Sequence, residues 1–338
     1  MSLRSKNLLF LFTIIIVTSL VYLTGTLADG PPKENGYGPN PSLSSDGESI
    51  AFTYTKEDEM ALYKAPSTGG QAELLFKAEK KESFTNPVFL PNASTLLFLK
   101  EFQTEDTPYK QLMQFDIDQK QVVPLMEKDE YINDVVISAD GQYIFYSKAN
   151  TYKENNEGKP MPDQFDIYRM DLETKDTKKI TDKKALTLSS LSLSEDRKKL
   201  LYSTYYNSKD VLYLINLQTN KEQRITPEAS YETAAAQGPI LGTPTISPNG
   251  RTIVFMDVAN TKESGTYEYE LFSMQNNGDN VQQITRFHSN ASSPAFFPNG
   301  DELLITVNEN FAKGDPEYEY WKISKDGKER QRIILTIP

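Results

Sequence analysis

PTISPNGRTIVF, Pro244 to Phe255, is a tight turn between two apolar runs. Asn-Gly supplies the positive-φ positions of the turn, and the branched and aromatic residues around it have the composition of two paired strands. The same figure returns five more times: PSLSSDGESIAF (Pro41 to Phe52), PVFLPNASTLLF (Pro87 to Phe98), VVISADGQYIFY (Val135 to Tyr146), LSLSEDRKKLLY (Leu191 to Tyr202) and PAFFPNGDELLI (Pro294 to Ile305). An apolar residue stands three before the Asp or Asn of every turn: Leu43, Phe89, Ile137, Leu193, Ile246 and Phe296. An unbroken apolar triplet follows four to six after it, from Ile50-Ala51-Phe52 to Leu303-Leu304-Ile305. Unbroken triplets mark strands covered on both faces, so these residues are read as core. Asn92-Ala93 and Asp196-Arg197 lack the glycine, and their turns are expected to be strained or of another type.

A second pattern follows each hairpin. Leu62-Tyr63, Leu112-Met113, Ile167-Tyr168, Leu212-Tyr213, Leu271-Phe272 and Tyr320-Trp321 open a third strand, and Leu75, Leu125, Ile180, Ile225, Ile284 and Ile333 lie in a fourth. The interval between them is 13 residues every time, which requires a second hairpin of fixed geometry. The turns recur at spacings of 46, 48, 56, 53 and 50 residues. Four-stranded units repeated at this period are the signature of a β-propeller. The fold class expected is therefore all-β: a six-bladed β-propeller of four-stranded antiparallel blades, preceded by an N-terminal hydrophobic signal or anchor helix. The blades fall at about 41-80, 81-130, 131-185, 186-235, 236-288 and 289-338. Closure is expected by packing of the last blade on the first, without an interlocked sheet.

Ser247-Pro248-Asn249-Gly250-Arg251-Thr252-Ile253-Val254-Phe255, Phe297-Pro298-Asn299-Gly300 and Ser138-Ala139-Asp140-Gly141 resemble the S-P-D-G-x-x-I-x-F repeat of TolB-type, WD-like propellers. The likeness covers Pro41 to Pro338 and is specific for architecture, whereas function is not fixed by fold. TolB carries a separate domain before its propeller, and here only a Pro- and Gly-rich linker, residues 29–40, is expected ahead of the first blade. A role in the Tol-Pal system is therefore not carried over.

Residues 1–28 have the layout of an export signal. Arg4 and Lys6 form a basic start, and Asn7 to Ala28 is uncharged. Thr26-Leu27-Ala28 offers a cleavage site before Asp29, while an uncharged run of 22 residues is long enough to remain as a membrane anchor. Both readings place the remainder outside the cytoplasm, either secreted or held on the outer face of the cytoplasmic membrane through residues 8–27.

The chain has 338 residues, no cysteine, one histidine (His288) and a formal charge of −11. Disulfide scaffolds, cysteine nucleophiles and multi-histidine metal centres are excluded, and so is binding to a nucleic-acid backbone, which needs a positive stripe. No cofactor and no metal is expected; a calcium site built from Asp and Glu on the rim stands as an alternative, without a D-x-D-x-D-G loop to carry it. His288 begins a D-to-A loop with no G-x-S-x-G elbow to accompany it, and reads as a surface histidine.

With the strands of each unit lettered A to D, loop lengths single out one face. The B-to-C gaps vary from 10 to 21 residues, and Pro227 to Thr243 is a long D-to-A link on the same rim. Tyr152, Tyr205, Tyr206, Tyr231, Tyr267, Glu268, Glu317 and Tyr318 gather there and are the candidate binding residues, tyrosine combining an apolar body with a polar tip. Alternation in Tyr267-Glu268-Tyr269-Glu270 is read first as an early third strand with one solvated face, ahead of recognition. The function expected is a monomeric, non-enzymatic scaffold presenting this rim and a central channel to a protein or peptide partner at the cell envelope. Two alternatives stand beside it: an envelope enzyme acting on polysaccharide or peptide through Glu268, Glu270, Glu317 and Glu319, and a membrane-anchored sensory ectodomain.

Overall fold

The computed structural model describes residues 36–338, apart from 80–81, 103–106, 128–129, 207–208, 262–265, 312–313 and 315. The expected signal or anchor of residues 1–28 and most of the linker lie outside the described residues. Within them the chain is all-β, with no α-helix and no helix able to cross a membrane.

Each repeat folds as the turn and the two spacings dictate. All six A-to-B turns close on the same backbone hydrogen bond, from Gly47 N to Ser44 O through Gly300 N to Phe297 O. Ala93 (φ 55°) and Arg197 (φ 58°) hold the left-handed position that glycine holds in the other four, so these two turns are strained and not of another type. In four repeats the serine two before the turn residue is buried and fastens the hairpin. Ser138 Oγ, for example, donates to Asp140 at 2.6 Å and accepts from the Tyr143 N–H at 2.9 Å. The 13-residue interval is a cross-strand distance. Leu212 pairs with Ile225 and Tyr320 with Ile333, while the N–H groups of Leu125, Ile180 and Ile284 donate to the carbonyls of Leu112, Ile167 and Leu271. In the first unit a register shift at Leu62/Tyr63 moves the partner to Phe76.

The expectation of six separate blades is corrected. Four sheets stand as blades of their own: one of five strands over Gly36–Lys77, and three of four strands over Glu82–Pro124, Ile132–Lys179 and Leu188–Ile225. The last two repeats are one eight-stranded sheet, joined by a parallel pairing of Tyr269 with Asn290. The physical cause is a tight link. Strand D of the fifth repeat ends at Gln283 and the next inner strand begins at Asn290, so the connection is drawn across strand C, where Tyr269 N donates to Ser289 O at 2.9 Å.

Closure is also corrected. Gly36–Tyr37 is not linker but the start of the first inner strand, paired with Tyr54 and Thr55. At the other end, Leu335–Thr336 pairs in parallel with Gly70–Gln71 of the first unit, so the ring is latched by a short interlocked sheet as well as by packing. The latch reuses a contact found between earlier neighbours. Gly278 and Gly327, at C-to-D turns, lie so close to Thr226 O and Ile284 O of the preceding unit that a Cβ would stand 2.0 and 1.5 Å from those oxygens. Gly69 meets Ile334 O in the same way. Core clusters fill the spaces between neighbouring units; one of them joins Phe52 and Tyr63 of the first unit to Leu304, Tyr320 and Ile333 of the last. Burial of such side chains, at about 1.5–3 kcal/mol each, supplies the driving force for ring assembly.

Candidate functional site

The inner strands of the second to sixth units carry an irregularity at corresponding places. The pairing of strand A with strand B shifts between Thr85 and Val88, Ile132 and Asp134, Ser189 and Ser192, Gly242 and Thr245, and Ser292 and Ala295. Six residues before each turn, in this irregular stretch, stand Asn40, Asn86, Asp134, Ser190, Thr243 and Ser293. Asn86, Ser190, Thr243 and Ser293 are left-handed (φ 40–55°). A bulge re-aims a side chain, and here it turns the polar groups of successive inner strands toward one another.

They form an oriented hydrogen-bonded chain. Ser293 Oγ donates to Asn40 Oδ1 (2.8 Å), Asn40 Nδ2 to Asn86 Oδ1 (3.0 Å), and Asn86 Nδ2 to Asp134 Oδ1 (3.4 Å). Ser293 N also donates to Thr243 Oγ1, and Leu191 N to Asp134 Oδ2 at 2.8 Å. Between the fourth and fifth units the link drops two residues, to Ser192 Oγ and Thr245 Oγ1 at 3.1 Å. Asp134 is where the donors converge. Burial raises its pKa to about 6, against the opposing pull of the Leu191, Val135 and Ser190 N–H groups and the Lys110 charge. This ring was missed at the sequence level, although the signal was present: a small polar residue at one fixed place in all six repeats.

The rim residues separate into exposed and structural sets. Tyr205 and Tyr206, at the end of the hairpin Lys199–Tyr206/Lys209–Asn216, are exposed, Tyr206 at 60%. Tyr152 is exposed as well, and its hydroxyl donates to Pro108 O of the second unit at 3.2 Å. Tyr231 is committed to the fold: its hydroxyl donates to buried Asp257 (2.8 Å) and its ring stands edge-on to Phe272. Tyr267 packs edge-on against Tyr269. Glu317 accepts from Asn310 Nδ2 at 2.8 Å, and burial raises the Tyr318 pKa.

Tyr267 to Glu270 is indeed strand, but the glutamates face inward. Glu268 and Glu270 are buried while the tyrosines keep part of their surface. Glu270 accepts from Thr285 Oγ1 (2.6 Å) and from the His288 N–H (2.7 Å), and burial raises its pKa. Glu268 lies 3.1 Å from His288 Nδ1, and the imidazole itself is exposed. In the third unit Asp166 occupies the place of Glu270 and accepts from Thr181 Oγ1 at 2.9 Å. The Ile-Thr ending therefore places a threonine to cap a buried acid on strand C. Among the described residues no group of three or more His, Cys, Asp or Glu is placed to hold a metal ion. A cleft of about 460 Å³ opens on the opposite face between the first and last units, where Lys322 is already paired with Glu302.

No family model and no curated protein matches the chain. Its fold is similar to that of solved structures. TolB from Acinetobacter baumannii superposes with a TM-score of 0.61 at 17% identity, covering 86% of this chain and 64% of that one. A TolB-type protein from Agrobacterium tumefaciens gives 0.56 at 19% identity, with 77% and 83% covered. Oligogalacturonate lyase from Vibrio parahaemolyticus gives 0.52 at 12% identity, with 86% and 90% covered. The chain thus spans 64% of the length of the Acinetobacter TolB, and what it shares with TolB and lyase alike is the propeller arrangement.

Proposed function

We propose that this chain is a non-enzymatic, extracytoplasmic binding scaffold whose B-to-C and D-to-A rim holds a protein or peptide partner at the cell envelope. One observation carries the reading. Of the eight exposed large hydrophobic side chains among the described residues, six lie on this rim: Tyr152, Met161, Leu186, Tyr205, Tyr206 and Phe311. Exposed tyrosines and aliphatics gathered on one face of a rigid ring suit a partner surface, because a preorganised scaffold loses little conformational entropy on binding. The four rim acids offered as catalytic groups each have a partner within the fold: Glu268 lies against the His288 ring, Glu270 accepts from Thr285 and the His288 N–H, Glu319 pairs with Arg332, and Glu317 accepts from Asn310. The export-type N-terminus supports the location outside the cytoplasm. The mass of the mature protein separates a secreted form from an anchored, sensory one.

The test is affinity capture from envelope extracts with the wild type and with a Tyr205→Ser/Tyr206→Ser variant. A protein retained by the wild type and lost by the variant is the expected result. Identical capture by both, together with turnover of a cell-wall polysaccharide or peptide, would overturn the scaffold.

A further inference from the structure

The rim that carries the exposed side chains is also the one to which the N-terminal segment attaches. Gly36 opens the innermost strand of the first unit and pairs with Thr55, one residue from the B-to-C hairpin that closes on Lys56 and Glu59. Gly36 therefore stands at the channel mouth on the variable rim. Leu27, the last residue of the apolar run 8–27, precedes it by nine residues, which reach at most about 32 Å at full extension. An eight-residue strand such as Ser49–Lys56 is already about 26 Å long. A tether of that reach cannot pass from the channel mouth across the rim and down the height of the ring. A chain retained by residues 8–27 thus turns its variable rim, and not the opposite one, toward the membrane.

One sector of that rim is suited to lie on lipid. Five of its six exposed large hydrophobic side chains, Tyr152, Met161, Leu186, Tyr205 and Tyr206, belong to the third and fourth units. Tyrosine, apolar in body and polar at its tip, favours the depth of the headgroups. Charge singles out the same sector. Residues 131–235 carry 15 lysines and arginines against 16 acids, whereas the rest of the chain from Asp29 onward carries 19 against 31. Anionic headgroups repel most of this acidic molecule and spare that part. Lys184 and Lys209 are exposed there, Lys184 two residues before Leu186 and Lys209 paired across the hairpin with Tyr206. We propose that, where residues 8–27 stay in the membrane, the rim of the third and fourth units docks on its outer leaflet, with Leu186, Tyr205 and Tyr206 entering the headgroup layer. The proposal goes beyond the scaffold reading and concerns the retained form of the chain, in which lipid and the protein partner compete for one rim.

The probe is a vesicle of phosphatidylethanolamine and phosphatidylglycerol containing lipid with a nitroxide on its headgroup, into which the full chain, residues 1–28 included, is reconstituted. Because the chain has no cysteine, Lys209→Cys and Gln218→Cys can each carry one fluorophore. Both positions are exposed in the fourth unit, 209 on the variable rim and 218 at the C-to-D turn on the opposite face. Quenching at 209 and none at 218 is the expected result. Tyr205→Asp/Tyr206→Asp in the Lys209→Cys chain should abolish it, since a carboxylate resists leaving water, while Tyr205→Trp/Tyr206→Trp retains it. Equal quenching at the two positions, or quenching at neither, overturns docking. So does quenching at 209 that survives the Asp substitutions, because the tether alone would then account for it. Protein capture that depends on Tyr205 and Tyr206, beside absent quenching, would remove the lipid contact and leave the scaffold standing; quenching without such capture would do the reverse.

Discussion

Ala93 and Arg197 show what one missing glycine costs. Each holds a left-handed φ that an L side chain adopts at about 1–2 kcal/mol, while glycine adopts it freely but loses more chain entropy on folding. Ala93→Gly is therefore expected to stabilise the protein by about 0.5–1 kcal/mol, read as a higher urea midpoint. Arg197→Gly should gain less, because Arg197 is also paired with Asp140. Gly327→Ala should act in the opposite sense and more strongly, its Cβ meeting Ile284 O at 1.5 Å. Asp134 is a residue-scale case with a pH signature. Its folded pKa, about 6, lies above the ordinary 3.8, so the folded state holds the proton more tightly. The contribution of this group is then greatest below pH 4 and falls as the pH rises to 6. Asp134→Asn cannot titrate, so wild-type stability relative to the variant should fall by about 2 kcal/mol from pH 4 to pH 7, the full shift being discounted for partial exposure. A constant difference in denaturation midpoints across that range would refute it.

At the scale of the element, the sequence made strands and turns legible because period and turn chemistry are local properties. It did not reveal which face of a strand is buried. Tyr-Glu alternation at 267–270 suggested a solvated acidic face; the reverse holds because the Ile284-Thr285 ending and the His288 N–H supply donors that make buried glutamates affordable. Tyr231 misled in the same way. A tyrosine in a long rim loop reads as a contact residue, yet Asp257 gathers that loop through Tyr231 Oη, Thr233 Oγ1 and the Ile240 N–H, an arrangement that long-range pairing alone decides. Tyr231→Phe should accordingly cost about 1.5–3 kcal/mol, the range for a hydrogen bond to a charged group, and should open 227–241 to proteolysis. Tyr206→Ser, on the exposed hairpin, should leave stability within about 0.5 kcal/mol of the wild type. Thermal melts and limited digestion of the two variants would show the contrast.

For the whole molecule, the repeat count was legible but the sheet count and the closure were not. Merging of the last two units turns on one parallel pairing across a short link, and the latch joins residues 70 and 335, which no local pattern connects. A ring differs from a row of blades in that each unit has two neighbours, so opening it exposes two faces at one site. The latch consists of Gly70 N to Ile334 O (2.8 Å) and Ala72 N to Thr336 O (2.9 Å), with Tyr37 and Lys56 reaching Leu335 O and Pro338 O beside it. The shared core of Phe52, Tyr63, Leu304 and Tyr320 lies next to these bonds. Removing residues 335–338 eliminates the Ala72 bond and both side-chain bonds and leaves the Gly70 bond frayed. The expected loss is about 2–4 kcal/mol, at roughly 0.5–1.5 kcal/mol per hydrogen bond. Local opening should change more than the global transition. Amides of Gly70 and Ala72, and those of the inner strand at Tyr37 and Gly38, should exchange much faster in the shortened chain, while amides at the junction of the third and fourth units keep their wild-type protection. Uniformly faster exchange around the whole ring would mean that the latch governs global stability; no change at all would mean that packing closes the ring unaided.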